Sequence, residues 1–155
     1  MFKRLSLVAI IAVSVGAFSG CASVPMVQGA QSAQVKAFNP PPQGEAGLYI
    51  YRDSSFGAAL KKDIWVDGKC IGQSAPKVFF YTTVTGDTEH TISTESEFSP
   101  NDLKLYTKSG INYFVRQAIK MGVFVGGAKL EVVENTKGEA AVKSLGEAVG
   151  GTCGK

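Results

Sequence analysis

The chain has 155 residues, 16 basic against 13 acidic side chains and a formal charge of +3. This near balance, with no clustered basic face in the sequence, argues against a nucleic-acid partner and against attachment to anionic lipid by charge. One histidine and three cysteines without a C-x-x-C pair leave no ordinary zinc site, and no cofactor motif is present.

In chain order, Met1-Phe2-Lys3-Arg4 is a short positive start, and residues 5–17 are apolar apart from Ser6 and Ser14. A run of that length suits the apolar region of a secretory signal and is shorter than the roughly 20 residues that span a bilayer. Phe18-Ser19-Gly20-Cys21 follows. These four residues resemble a lipobox, the recognition site of the bacterial lipoprotein pathway. Its pattern is an aliphatic residue, two small residues and a cysteine; Ser19, Gly20 and Cys21 match, and Phe18 replaces the aliphatic residue. The resemblance implies a diacylglycerol on the Cys21 thiol, cleavage between Gly20 and Cys21, and acylation of the new amine, with palmitate as a typical chain. Two or more acyl chains anchor stably where one does not. Ala22 is not the aspartate that retains such proteins at the inner membrane, so the outer membrane, facing the periplasm, is expected. Two alternatives stay open: ordinary cleavage near Ala17-Phe18-Ser19 or Gly20-Cys21-Ala22, releasing a soluble periplasmic protein, or an uncleaved anchor.

Loss of residues 1–20 removes Lys3 and Arg4 and leaves 14 basic against 13 acidic residues. Residues 21–44, rich in Ala, Ser, Gln and Gly and containing Pro40-Pro41-Pro42, read as a flexible tether that stiffens at the prolines. As a coil it would hold the following domain roughly 25 Å from the lipid.

A single domain is expected over 45–150, with a mobile tail at 151–155. Leu48-Tyr49-Ile50-Tyr51-Arg52 has strand composition. Residues 64–72 predict a hairpin with Asp67-Gly68 in a type I′ turn, Trp65 opposite Cys70 and Ile64 opposite Ile71. Further strands are expected over 77–85, 90–94, 103–107, 112–120 and 129–134. The glycine-rich 122–127 stretch lacks the context of a phosphate loop and reads as a bend or bulge. Thr136-Lys137-Gly138-Glu139 matches a capping box before a short helix over 140–149, in which Val142, Leu145 and Val149 share a face. The fold class is therefore mostly β: one β-sandwich of about seven short antiparallel strands with a short C-terminal helix.

From Gly47 to about Leu145 the chain resembles a family of bacterial lipoprotein domains of unknown function, in the style of the PEGA domains of envelope proteins. The residues that carry this are 47–52, the hairpin 65–72, and 110–116. The resemblance implies a β-sandwich and supplies no reaction.

Candidate chemistry is sparse. His90 has no recognisable Ser or Cys partner motif, and carboxylates are scattered. Cys70 and Cys153 are candidates for a disulfide, worth about 4–5 kcal/mol for a loop of that size on the chain-entropy model, or are a strand thiol and a free tail thiol. Tyr49, Tyr51, Trp65, Phe79, Phe80 and Tyr81 suit a core better than a stacking platform. Arg52 and Arg116 either line a surface site or guard strand edges. The expectation is a lipid-anchored binding or structural module, not an enzyme, held by its lipid and open to an envelope protein or glycan. An accessory subunit of an envelope or secretion assembly and a periplasmic hydrolase using His90 are the alternatives.

Overall fold

The computed structural model describes residues 20–96, 101–124 and 126–154. The signal expected over 1–20 lies outside them apart from Gly20, and Val125 of the glycine-rich stretch is outside as well.

Strand β1 (Glu45–Arg52) lies at the centre. Leu48 and Ile50 face one side, Tyr49 and Tyr51 the other, and all four are buried. A strand that is apolar on both faces needs cover on both. Antiparallel β4 (Val78–Thr85) and parallel β7 (Asn112–Lys120) flank it. With β8 (Gly127–Val133) and the two-residue β9 (Gly146–Glu147), the first sheet has the order β8-β7-β1-β4-β9. The second sheet, β3-β2-β5-β6, is built from β2 (Lys62–Val66), β3 (Lys69–Ser74), β5 (Thr88–Thr94) and β6 (Asn101–Thr107). Leu48, Ile50, Ile64, Phe80, Ile92 and Val115 fill the space between the sheets. On the outer face of the first sheet Tyr49, Tyr51, Phe79 and Phe114 are covered by Phe38, by Val35 of helix α1 (Gly29–Val35), and by Val142 of helix α2 (Asn135–Lys143).

The chain is thus a mostly β, two-sheet sandwich with a short helix near its C-terminus, as the strand pattern predicts. Several details differ. The described residues contain nine strands, and the pairings β1–β7 and β4–β9 are parallel. β7 enters the first sheet from the same end as β1, because β5 and β6 have first been laid in the other sheet. In the hairpin, Asp67 and Gly68 have φ of 49° and 75°, as a type I′ turn needs, and Trp65 pairs with Cys70. Beyond that pair a bulge sets Ile64 opposite Gly72 rather than Ile71. A Cβ on residue 72 would stand 2.6 Å from the Phe80 ring, so the register that fits the core places a glycine there.

The helix cap also moves. Glu134, not Thr136, is the N-cap, and its carboxylate accepts from the Thr136 and Lys137 amides. The helix ends at Lys143, with Ser144 as its C-cap, instead of reaching Val149. Past it, Gly146 and Glu147 pair with β4, and Val149 is exposed. Gly138 faces inward, where an added Cβ would meet Phe114 at 2.3 Å.

Residues 22–44, expected as a flexible tether, pack on the domain. The Ala22 amide donates to Ala58 O at 2.8 Å, Met26 bridges Ala148, and the Tyr49 hydroxyl donates to Val35 O at 2.9 Å. The apolar residues within the Ala- and Gln-rich composition account for this. Val24 joins the core between the sheets, and Val35 and Phe38 cover the outer cluster. The described tail residues are tied as well. The Gly151 amide donates to Ile71 O at 2.8 Å, and Cys153 is bonded to Cys70.

Candidate functional site

The sandwich has two ends of different character. At one end the chain leaves β1 through the loop 53–60 and leaves β7 through 121–126. The Arg52 side chain, fully buried, organises the first loop. Its guanidinium donates to Leu60 O at 2.7 Å, Gly57 O at 2.8 Å and Phe56 O at 3.1 Å. A buried cation thus satisfies three loop carbonyls, which defines the loop path, and among the described residues no carboxylate pairs with it. Gln117 does similar work between the sheets: Ser74 Oγ donates to its Oε1, and its Nε2 donates to Thr94 Oγ1 at 2.6 Å. Leu60, Ile119, Met121 and Phe124 line a groove of about 280 Å³ at this end. Phe56, Met121, Val123 and Phe124 are 54%, 84%, 78% and 84% exposed. Cys21 is exposed at the same end, one residue before the Ala22–Ala58 hydrogen bond.

The opposite end carries a larger and more polar cleft of about 500 Å³. Thr82, Thr83, Val84 and Thr85 of β4 form one wall, Glu45 the rim, and Val66, Asp67, Lys69 and Ile71 of the hairpin the other wall. His90 sits between the walls, 6% exposed. Its Nδ1 lies 2.6 Å from Asp67 Oδ2 and its Nε2 lies 2.8 Å from Thr85 O. Both partners are acceptors, so the two hydrogen bonds are made together when both ring nitrogens carry protons, and the geometry favours the imidazolium. Burial opposes that charge, but the Asp67 hydrogen bond, the Thr85 carbonyl and the Asp67 charge outweigh it and raise the His90 pKa. For Asp67, burial raises the pKa, and the His90 and Thr91 hydrogen bonds with the nearby cations overcome it and hold the carboxylate below its ordinary range. The pair joins the hairpin turn of one sheet to the end of β4 in the other.

His90 therefore has neither ring nitrogen available as a base in this geometry. Cys70 is bonded to Cys153, with Cα atoms 6.0 Å apart, and offers no thiol for nucleophilic chemistry. Of the three cysteines, Cys21 alone is outside the bridge. Among the described residues no three His, Cys, Asp or Glu side chains converge on a metal position. Nor is any helix among them long and apolar enough to cross a membrane.

The arginines separate. Arg52 neither lines a surface site nor guards an edge; it is interior. Arg116 is half-buried and bridges Asp53 at 2.8 Å and Glu131 at 3.1 Å, tying the 53–60 loop to β8. Tyr49, Tyr51, Phe79 and Phe80 are core, while Trp65 and Tyr81 are partly exposed. Sequence reasoning missed Arg52 and Gln117 as structural centres. For Arg52 the available signal was its place on a strand otherwise buried on both faces; for Gln117 it was its place on the same face of β7 as Val115.

The family described as "Protein of unknown function (DUF2846)" matches residues 42–128, more than half of the chain. The chain belongs to this family. A protein of Haemophilus influenzae described as uncharacterized is 51% identical over 149 residues, covering 96% of this chain and 86% of the relative. No solved structure matches. The DUF2846 match runs from just before β1 into β8, so it takes in both ends of the sandwich, including Arg52, the cleft walls and His90. Cys21, α2 and Cys153 lie outside the matched DUF2846 residues.

Proposed function

We propose that the protein is a cell-envelope lipoprotein, acylated on Cys21 and anchored at the periplasmic face of the outer membrane. Its sandwich is a binding or structural module rather than an enzyme. The division of the cysteines carries the reading. Cys70 and Cys153 are paired, as befits an oxidising compartment, and the exposed thiol left over occurs where the lipobox resemblance puts the acyl acceptor. The signal-like run before it and the small residues Ser19 and Gly20 support the same reading. The likeness to PEGA domains belongs to this proposal, supported by the Asp67-Gly68 hairpin within a family of unknown function. The cleft at the end away from Cys21 is the candidate binding face, because it stays open when the other end is at the lipid. The engaged nitrogens of His90 support a structural role for that residue.

Mass spectrometry of the mature N-terminus tests the anchor. The native protein is expected to begin at Cys21 with acyl chains, and Cys21→Ser to lose both the acylation and the cleavage. An unmodified native N-terminus beginning elsewhere would overturn the reading in favour of soluble secretion. Turnover in a hydrolase screen that disappears in His90→Gln would overturn the non-enzymatic part.

A further inference from the structure

We propose that the apolar tip at the Cys21 end is a membrane-contact surface, on which Phe56, Met121, Val123 and Phe124 settle into the headgroup boundary of the bilayer. The proposal rests on the lipoprotein reading and adds an orientation to it. Three observations carry it. First, the chain beyond the described residues joins the fold here. The apolar run 5–17 ends four residues before Cys21, and Ala22 is hydrogen-bonded to Ala58 in the loop that forms one wall of the groove. Whatever holds Cys21 at lipid holds this end there, because residues 22–44 pack along the domain instead of spacing it away.

Second, four large apolar side chains more than half exposed stand together on two adjoining loops, at a cost in water that insertion removes. Arg52 and the Arg116–Asp53 bridge fix the 53–60 loop. Third, the charges suit lipid. Exposed Lys61 and Lys120 flank the tip, and no carboxylate lines its groove. Aromatic and aliphatic tips with basic neighbours are what monotopic contact with an anionic leaflet uses. The cleft end carries both signs, with Glu45, Asp67 and Glu89 beside Lys69, His90 and Lys104, and presents no comparable apolar tip. Apolar contact leads here, in keeping with the low net charge.

The test uses mature protein reconstituted into vesicles of phosphatidylethanolamine with a minority of phosphatidylglycerol carrying brominated acyl chains. Phe124→Trp places a reporter on the tip and Tyr106→Trp one on an exposed site of β6 toward the cleft end; the parent, with Trp65 alone, gives the background. Quenching of the added tryptophan is expected to be at least about twofold stronger at 124 than at 106. Equal or absent quenching in protein whose N-terminus carries acyl chains overturns the tip contact and leaves the anchor standing. If the N-terminus carries none, the anchor reading fails, and sedimentation with the same vesicles decides the tip. Binding roughly threefold above a Met121→Ser/Phe124→Ser variant supports the contact, and equal binding overturns it. A dimer in solution that the same double change abolishes, with no quenching at 124, overturns it in favour of a second copy of the chain as occupant.

Discussion

The two ends of the sandwich are closed by different chemistry. At the Cys21 end a buried guanidinium gathers the carbonyls of Phe56, Gly57 and Leu60. At the cleft end the His90 ring joins a turn carboxylate to a strand carbonyl. Burial lowers the Arg52 pKa, yet a guanidinium keeps its proton at any physiological pH. A histidine titrates close to neutrality. The difference teaches that the cleft end is built to respond to pH near neutrality, while the guanidinium that gathers the 53–60 loop keeps its charge there. Changes that loosen one end and spare the other sharpen that comparison; changes that loosen both break it.

The largest effect is expected at the disulfide. Cys70 and Cys153 are 83 residues apart, and opening a loop of that length is worth about 4.5 kcal/mol on the chain-entropy model. Urea unfolding with and without reductant, or of Cys70→Ser/Cys153→Ser, measures it. The bridge ties the tail to β3, whose Lys69 and Ile71 are cleft wall. Amide exchange should therefore rise first in β3 and 151–154, and a simultaneous rise in 53–60 would show that the two ends are one cooperative unit.

Arg52→Met is the counterpart at the other end. It strips three carbonyls of their donor within the fold and is expected to cost roughly 3 kcal/mol. Limited proteolysis should then cut within 53–60 while the cleft end stays protected. Protection in that loop equal to wild type would remove Arg52 from its organising role.

Gly138→Ala serves as the mid-body control. Helix propensity alone favours alanine by about 1 kcal/mol. The added methyl would stand 2.3 Å from Phe114, which is fully buried beneath α2 and has no room to retreat, so overpacking of about 1–3 kcal/mol prevails. The expected result is a lower Tm with exchange protection falling evenly at both ends. A raised Tm would mean that α2 lifts off the sheet at little cost.

Strand composition and turn chemistry made the sandwich legible. The composition of 48–52, the alternation in 103–107 and the Asp67-Gly68 dipeptide specify their elements through local geometry. What stayed hidden depends on partners distant in sequence. Val24 and Phe38 sit in a segment whose composition resembles a linker; the core between the sheets takes Val24 and the outer face of β1 and β7 takes Phe38, and neither partner is near in sequence. Gly146 falls inside the span 140–149 expected to be helical, because its competing partner, Val78, lies far upstream. At the candidate ends, His90 was visible as the lone histidine, but its two acceptors, Asp67 and Thr85, come from different sheets. Arg52 read as a surface residue because charge normally stays in water; three loop carbonyls reverse that, and no local pattern announces them.

The smallest effect is the most diagnostic. His90 has a raised pKa in the fold, so its contribution to stability is fully present below its unfolded value and is lost as pH rises through the folded one. Asp67 has a lowered pKa, so its contribution is present above its unfolded value and is lost as pH falls through the folded one. The pair therefore stabilises fully between about pH 4 and pH 6.5 and declines on either side. Asp67 is half exposed, and screening there limits the pair to about 1 kcal/mol. Urea unfolding of wild type and His90→Gln across this range should show the largest gap inside the window and a gap that closes above it. Exchange protection of the Asp67-Gly68 turn should fall over the same alkaline range, while that of 53–60 holds. A gap that is constant with pH would mean that His90 contributes by packing alone, and that the two ends do not differ in their response to pH after all.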